Sequence, residues 1–319
     1  MMKLHLLREE NLAQEMESRV KPCFQAYGRE KYYFREKGRG IFCLSCHNPH
    51  PKGVILISHG FCESGEKYRE LAYYFFQAGY STYIPEHCGH GHSYRLTGAY
   101  SKVHIDSYER YARDLAYVAY HARKENHGLP LYLFGHSMGG AIAGITLGRC
   151  PGMFRKAILN APMILQRTDP FPPVFAHSVA YLMCKMGKGE KFAVGQHAFQ
   201  DDECFEESCC MSRARFDYYY KIKQKEPLLQ NSGASYSWGL EAYRMSHELL
   251  KTSCRSISIP VLLFQAELDT LVYPGPQEKF VRRLPEGKLV RVPAKHEIYR
   301  SENLILKKYL GKVIQFYEG

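Results

Sequence analysis

The sequence predicts an α/β fold: a mostly parallel central sheet flanked by helices on both faces and interrupted by an inserted lid. Three observations carry this. Short apolar runs alternate with amphipathic stretches, the order expected of parallel strands joined by helical crossovers. The alternation stops near Met163 and resumes after Ser232. With 45% hydrophobic and 13% aromatic residues, the 319-residue chain also has ample material for a large core. The expected division is therefore 1–162 as the first part of the sheet domain, 163–232 as the lid and 233–319 as the second part.

Taken in order, "KYYFREKGRGIFCLSCHN" reads as a hairpin, two apolar or aromatic runs around a Gly-bearing turn. "GVILISHG" is a buried strand, "YRELAYYFFQAGY" a helix and "YSTYIPEH" a strand. Ser107 to Asn126 is a helix with Tyr108, Tyr111, Ala112, Leu115, Val118, Ala119 and Ala122 on one stripe. "LYLFGHS" is a strand, "MGGAIAGITLGRC" a helix and "RKAILNAPM" a strand. The stretch from Met163 to Ser232 is irregular and rich in Pro, Phe, Met, Cys and Lys. "YSWGLEAYRMSHELLK" then restores helix and "PVLLFQAE" strand, followed by a helix over Gln277 to Leu284 and the strand "KLVRVPA". "SENLILKKYLGKVIQFY" closes the chain as a helix with Ser301 as its expected cap.

Lys and Arg number 43 against 32 Asp and Glu, a formal charge of +11. The charge is spread without a dense basic run or a nucleic-acid module, so no nucleic-acid partner is expected; an anionic membrane surface suits it better as a partner, and plain solubility accounts for it best. Met1 to Tyr27 is charged and lacks the layout of a secretory signal, and no apolar run is long enough to span a bilayer. The eleven cysteines are irregularly spaced and odd in number, which reads as reduced thiols in a cytoplasmic protein, with a peripheral position at the inner membrane face left open. Cys43 and Cys46 have ligand-like spacing but no second pair follows, and neither a metal nor a cofactor is expected.

The candidate chemistry centres on Gly135, Ser137 and Gly139, a G-x-S-x-G pattern where a strand ends and a helix begins. Such a turn is tight enough to require small flanking residues, and it holds the hydroxyl at the carboxyl edge of the sheet beside a helix N-terminus. Serine needs a base to take its proton and an acid to orient that base. The strand "PVLLFQAELDTLV" offers Glu267 and Asp269, with Asp269 better placed to reach over the sheet edge. His296, in "KLVRVPAKHEIY", is the one histidine directly after a predicted strand downstream of those acids. The amides of Met138 and Phe61 are the expected oxyanion donors, Phe61 following the His59–Gly60 pair.

With these residues in view, the chain resembles the α/β-hydrolase superfamily and, within it, the monoacylglycerol lipase and lysophospholipase group. "HGFCESGEKYRELAYYF", "EHCGHGHS", "YARDLA", "GHSMGGAIA", "NAPM", "LLFQAELDTLV" and "AKHEIYRSE" match that group's blocks in order, and "GASYSWGLEAYR" is similar to the post-lid segment of bacterial lysophospholipase L2. The resemblance implies Ser137 as nucleophile, Asp269 as acid, His296 as base, and Phe61 and Met138 as oxyanion donors. It also implies a small amphiphilic acyl ester as substrate. Two departures stand out: Glu86 and Cys88 replace an aspartate and a frequent arginine, and Phe61 is bulkier than the residue often found there. Both leave the pocket shape and acyl preference open.

"EHCGHGHS" also bunches His87, Cys88, His90 and His92, a weak metal candidate since the spacing matches the family's structural turn. In the lid, Phe175, Val179, Leu182, Met183 and Met186 share a helical face, followed by Lys185, Lys188 and Lys191. Packing onto the sheet domain, an acyl tunnel and a membrane surface are three readings of that face. "FDYYYKIKQ" and the lone Trp238 add aromatic mass near the expected cleft. Two functional alternatives to a lipid esterase remain. One is a proline iminopeptidase-like hydrolase, for which "QDDECFEES" could hold a substrate amine; the other is a non-catalytic ligand-binding protein on the same scaffold.

Overall fold

The computed structural model describes residues 4–319. Its ten strands are β1 Gly28–Glu36, β2 Arg39–Cys46, β3 Gly53–Ser58, β4 Tyr80–Pro85, β5 Lys102–Val103, β6 Leu131–His136, β7 Lys156–Asn160, β8 Gly233–Ala234, β9 Val261–Ala266 and β10 Gly287–Val292. Eight form one sheet in the order β1-β2-β4-β3-β6-β7-β9-β10. The β1–β2 hairpin joins antiparallel, through β2 against β4, and every other pair in this sheet is parallel. The short β5 and β8 pair separately and tie the loop after β4 to the chain returning from the 163–232 segment.

The helices are α1 Leu12–Glu15, α2 Lys21–Tyr27, α3 Arg69–Gln77, α4 Tyr108–Glu125, α5 Met138–Arg149, α6 Pro173–Lys185, α7 Arg213–Lys225, α8 Tyr236–Glu248, α9 Cys254–Ser256, α10 Pro274–Val281 and α11 Asn303–Glu318. They explain why the central strands read as unbroken apolar runs rather than alternating ones, since both sheet faces are covered. Successive residues enter opposite cores. Ile55, Ile57, Phe134, Ile158 and Phe264 meet α3, α11 and the N-terminal helices, whereas Val54, Leu56, Leu133, Leu159 and Leu263 meet α4, α5, α8 and α10. The same alternation sends Cys43 into one core and Cys46 into the other, so the two thiols do not face a common ligand.

Three local expectations shift. The helix expected over Gln277–Leu284 begins at Pro274, whose fixed φ and missing N–H suit a first turn. Ser301 does not cap α11, because its hydroxyl is buried without a partner; the first amide, Asn303 N, instead donates to Glu9 Oε1 at 2.5 Å. That cap comes from the far end of the chain, where a segment read only as charged folds as α1, a π-helical turn over Met16–Val20 and α2, and buries Leu12, Met16, Val20 and Phe24. By contrast, Ser107 does cap α4 as expected, accepting from Glu109 N at 3.3 Å.

Residues 163–232 contribute α6 and α7 but no strand of the eight-stranded sheet. The apolar face expected on α6 is divided. Val179 and Met183 pack with Ala180 onto Tyr236 and Leu240 of α8, while Phe175, Leu182 and Met186 point outward, Phe175 and Leu182 being 53% and 58% exposed. No helix among the described residues is long and apolar enough to cross a membrane.

Candidate active site

Ser137 lies between β6 and α5 with φ 52° and ψ −120°, a left-handed backbone that a non-glycine residue holds only when its surroundings enforce it. The enforcement is visible. Ser137 N donates to Asn160 O at 3.1 Å, and its carbonyl accepts from Met163 N at 2.8 Å. A Cβ on Gly139 would sit 2.1 Å from the Ser58 carbonyl oxygen, and one on Gly135 would sit 2.7 Å from Ala143 Cβ. The pattern of small residues is therefore a steric requirement of α5 crossing close to β3 and β6. Ser137 itself is 8% exposed.

The two acids after β9 separate clearly. Glu267 is exposed, whereas the Asp269 carboxylate is largely buried and its Oδ2 lies 2.6 Å from His296 Nδ1. Asp269 Oδ1 accepts from the amides of Leu271 and Val272 at 2.8 and 3.1 Å. Burial pushes the Asp269 carboxyl up, but the bond and charge of His296 together with these amides outweigh it and hold the group below the usual range. A carboxylate on Nδ1 fixes that nitrogen as the donor, leaving Nε2 free to accept a proton. Nε2 is buried and has no hydrogen-bond partner among the described residues. The His296 ring centroid lies 4.9 Å from that of His136, the residue before Ser137. Acid and imidazole are thus joined and adjoin the serine turn, while no hydrogen bond links Ser137 Oγ to the imidazole.

The amides of Phe61 and Met138 donate to no protein group among the described residues. Their neighbour Gly60 is held differently, its N–H donating to Glu63 Oε2 at 2.6 Å. Glu63 is a residue that sequence reasoning missed. It also accepts from Tyr68 at 2.5 Å, Tyr299 at 2.9 Å and Lys67 Nζ at 2.9 Å. Lys67 continues to Glu297, which Arg300 binds at 2.7 Å. One buried ion network therefore braces the loop of Phe61 and the loop of His296 together. Against the upward push of burial, Lys67 is the largest influence holding Glu63 well below its ordinary range, and Lys67 with Arg300 brings Glu297 to about 2. The one legible hint was the i,i+4 spacing of Glu63 and Lys67, which ordinarily marks a solvated helix face.

The remaining expected residues have partners of their own. Ser58 Oγ bonds His87 Nε2 at 2.9 Å, His87 N donates to His59 Nε2 at 2.8 Å, and His90 Nδ1 bonds the Cys88 carbonyl at 3.1 Å. Glu86, where the resemblance leads one to expect aspartate, is buried and accepts from Gly65 N at 2.8 Å and His92 N at 2.5 Å, so it pins the turn that carries those histidines. Trp238 lies against Phe61 with ring centroids 4.2 Å apart, bringing α8 against the Phe61 loop.

A mostly parallel sheet with a strained serine at a strand-to-helix turn, and an Asp–His pair from the last two strand ends, is the arrangement of an α/β-hydrolase. Residues 49–301 match the family model Hydrolase_4, described as "Serine aminopeptidase, S33", and the chain belongs to that family of serine hydrolases. It is 27% identical over 266 residues to a "Probable lysophospholipase L2" of Haemophilus influenzae, covering 82% of this chain and 83% of that protein. It is 26% identical over 224 residues to the human "Monoglyceride lipase", covering 69% and 66%. Among solved structures, a soluble variant of monoglyceride lipase from Saccharomyces cerevisiae superposes with a TM-score of 0.71 at 18% identity, covering 91% of this chain and 94% of that one.

Proposed function

We propose that this enzyme hydrolyses the carboxylic ester of single-chain acyl lipids, a lysophospholipid or a monoacylglycerol, through Ser137, His296 and Asp269. The observation that carries the proposal is the 2.6 Å His296–Asp269 contact beside the strained Ser137 turn. The names of the relatives supply the lipid. Catalytic contacts are often long before substrate binds, and rotation of the Ser137 side chain toward His296 Nε2 is the step the proposal requires. Ser137 Oγ then attacks the ester carbonyl as His296 takes its proton, and the Phe61 and Met138 amides receive the oxyanion. The tetrahedral intermediate collapses, the protonated imidazole gives its proton to the departing alcohol oxygen, and an acyl-serine remains. Water, deprotonated by His296, attacks that acyl group; fatty acid leaves and the hydroxyl is restored.

Residues 163–232 serve as the lid in this reading. Phe171, Val174, Phe175, Leu182 and Met186 are exposed beside Lys185, Lys188 and Lys191, and Leu268 and Leu271 are exposed on either side of Asp269. An apolar stripe edged by lysines suits docking on an anionic lipid surface. The amidase alternative finds less support, because of the acids of "QDDECFEES" Asp201 accepts from Tyr220 and Gln224 and Glu206 pairs with Arg213, while Glu203 and Glu207 line a cavity that does not include Ser137.

The test compares the native enzyme with Ser137→Ala on monoacylglycerol, lysophosphatidylcholine, a long-chain p-nitrophenyl ester and an aminoacyl-proline anilide. Serine-dependent fatty-acid release is expected; turnover of the anilide alone would replace the lipid reading with the peptidase one.

A further inference from the structure

A cavity of about 320 Å³ lies between the 203–223 part of the lid and the two loops that carry the candidate chemistry. It does not include Ser137 or His296, but its wall contains Cys62, next to the Phe61 amide, and Glu297, next to His296. The lid is bonded to the histidine loop there, Glu297 N donating to Cys209 O at 3.1 Å. The imidazole must protonate the departing oxygen, so the alcohol part of an ester leaves on the His296 side of the site. Glu297, the neighbour of His296, puts one wall of the cavity on that side.

Its lining carries both signs of charge, and each cation has a carboxylate partner there. Lys67, Lys223 and Arg300 form a basic wall, with Lys67 and Arg300 packed on the Tyr219 ring at 5.4 and 5.5 Å. Glu203 and Glu207 come with Phe216 and Tyr220, the acid-plus-aromatic combination that holds an ammonium group. Within the basic wall, Lys67 and Arg300 are committed to the buried carboxylates of Glu63 and Glu297. Lys223 is not: its side chain is 7% exposed, but its carboxylate partner Glu203 is 40% exposed on the lid surface. A ligand anion can take the place of Glu203 on Lys223, and the released Glu203 then joins Glu207 on the cation side.

We infer that this cavity is a headgroup subsite for a zwitterionic phosphoryl-ammonium lysophospholipid, with phosphate on Lys223 and the ammonium between Glu207 and the Phe216–Tyr220 rings. This rests on the esterase reading and narrows its substrate class. The test measures KM and kcat for lysophosphatidylethanolamine and for the monoacylglycerol of the same chain length, in native enzyme, Lys223→Gln and Glu207→Gln. Lys223→Gln should raise KM for the phospholipid about tenfold and Glu207→Gln about threefold, with both parameters for the monoacylglycerol within about twofold. Glu207 is an exposed lid residue, so its variant reads the site even if Lys223→Gln folds poorly. Glycerophosphoethanolamine should inhibit the native enzyme competitively and Lys223→Gln weakly, while inorganic phosphate at equal concentration should not inhibit. Equal shifts for both lipids, no shift for either, or inhibition by phosphate as strong as by the glycerophosphodiester would each overturn the subsite. If native enzyme hydrolyses neither lipid, the esterase reading fails; if it hydrolyses both and the variants do not discriminate, only the subsite fails.

Discussion

The rim of the sheet and the 163–232 segment are held in place by different forces. At the rim, the position of Ser137 follows from backbone hydrogen bonds to Asn160 and Met163 and from glycines that let α5 approach β3. Its companions are sealed in, His296 at 3% exposure and Glu63 at 4%. Within 163–232, α6 instead rests on a small cluster of Val179, Ala180 and Met183 against α8 and leaves an apolar stripe in solvent, while α7 is anchored by the buried Arg215 on Glu70, the Ser301 carbonyl and Asn303. The difference teaches that parts of one chain can be held under separate constraint. The rim tolerates almost no change in shape, whereas the outward face of α6 can change at little cost to folding.

The sharpest way to break this contrast is at Asp269. Asp269→Asn keeps the volume but loses the fixed imidazole orientation, and kcat should fall by about 10⁴ with the melting temperature nearly unchanged. A steady-state assay with a thermal melt checks both halves. A comparable kcat in the variant would show that the acid is structural.

Glycines give the next largest effect. Gly139→Ala puts a methyl within 2.1 Å of a backbone oxygen that cannot move aside, so a loss of at least about 3 kcal/mol is expected by denaturant titration. Gly187→Ala, in the lid at φ 71° with open space around it, should cost only about 1–2 kcal/mol for its left-handed backbone. Similar losses at the two positions would erase the contrast.

The buried network adds a pH signature. The Glu297 carboxyl, brought to about 2 from an ordinary 4.5, contributes stability that is complete above 4.5 and is lost as pH falls toward 2. Glu63 shifts in the same direction. Melting temperature should therefore drop steeply below about pH 4.5, and Glu297→Gln should be less stable at neutral pH but flatter across that window. A variant with the native slope would remove Glu297 from the acid transition.

Smallest in stability, within about 0.5 kcal/mol, is Phe175→Ser with Leu182→Ser on the exposed stripe. Its expected effect appears in sedimentation with anionic vesicles, where the bound fraction should fall while hydrolysis of a water-soluble ester persists. Unchanged vesicle binding would place the membrane contact elsewhere or remove it.

The central strands of this fold were legible because a strand covered on both faces must be apolar throughout, and the Ser137 turn because its small residues and flanking elements are local. Asp269 and His296 were readable for a related reason, each following a strand whose end lies at the same sheet edge. Glu63, Lys67, Glu297 and Arg300 were not readable, since charged residues in a sequence look solvated until distant segments close over them. The Glu9 cap on α11 escaped in the same way, and the three readings of the α6 face stayed open because periodicity identifies an apolar side without saying how much of it finds a partner.

By itself, then, the sequence determined the layer order, the serine turn, the imidazole and the pair of acids from which its partner comes, because these depend on short-range periodicity and on which strand ends share an edge. Only the tertiary structure decided which acid touches the imidazole, which charges are buried as a network, and which lid side chains stay in water. Those outcomes depend on desolvation, which is set by what packs against a residue rather than by its neighbours along the chain.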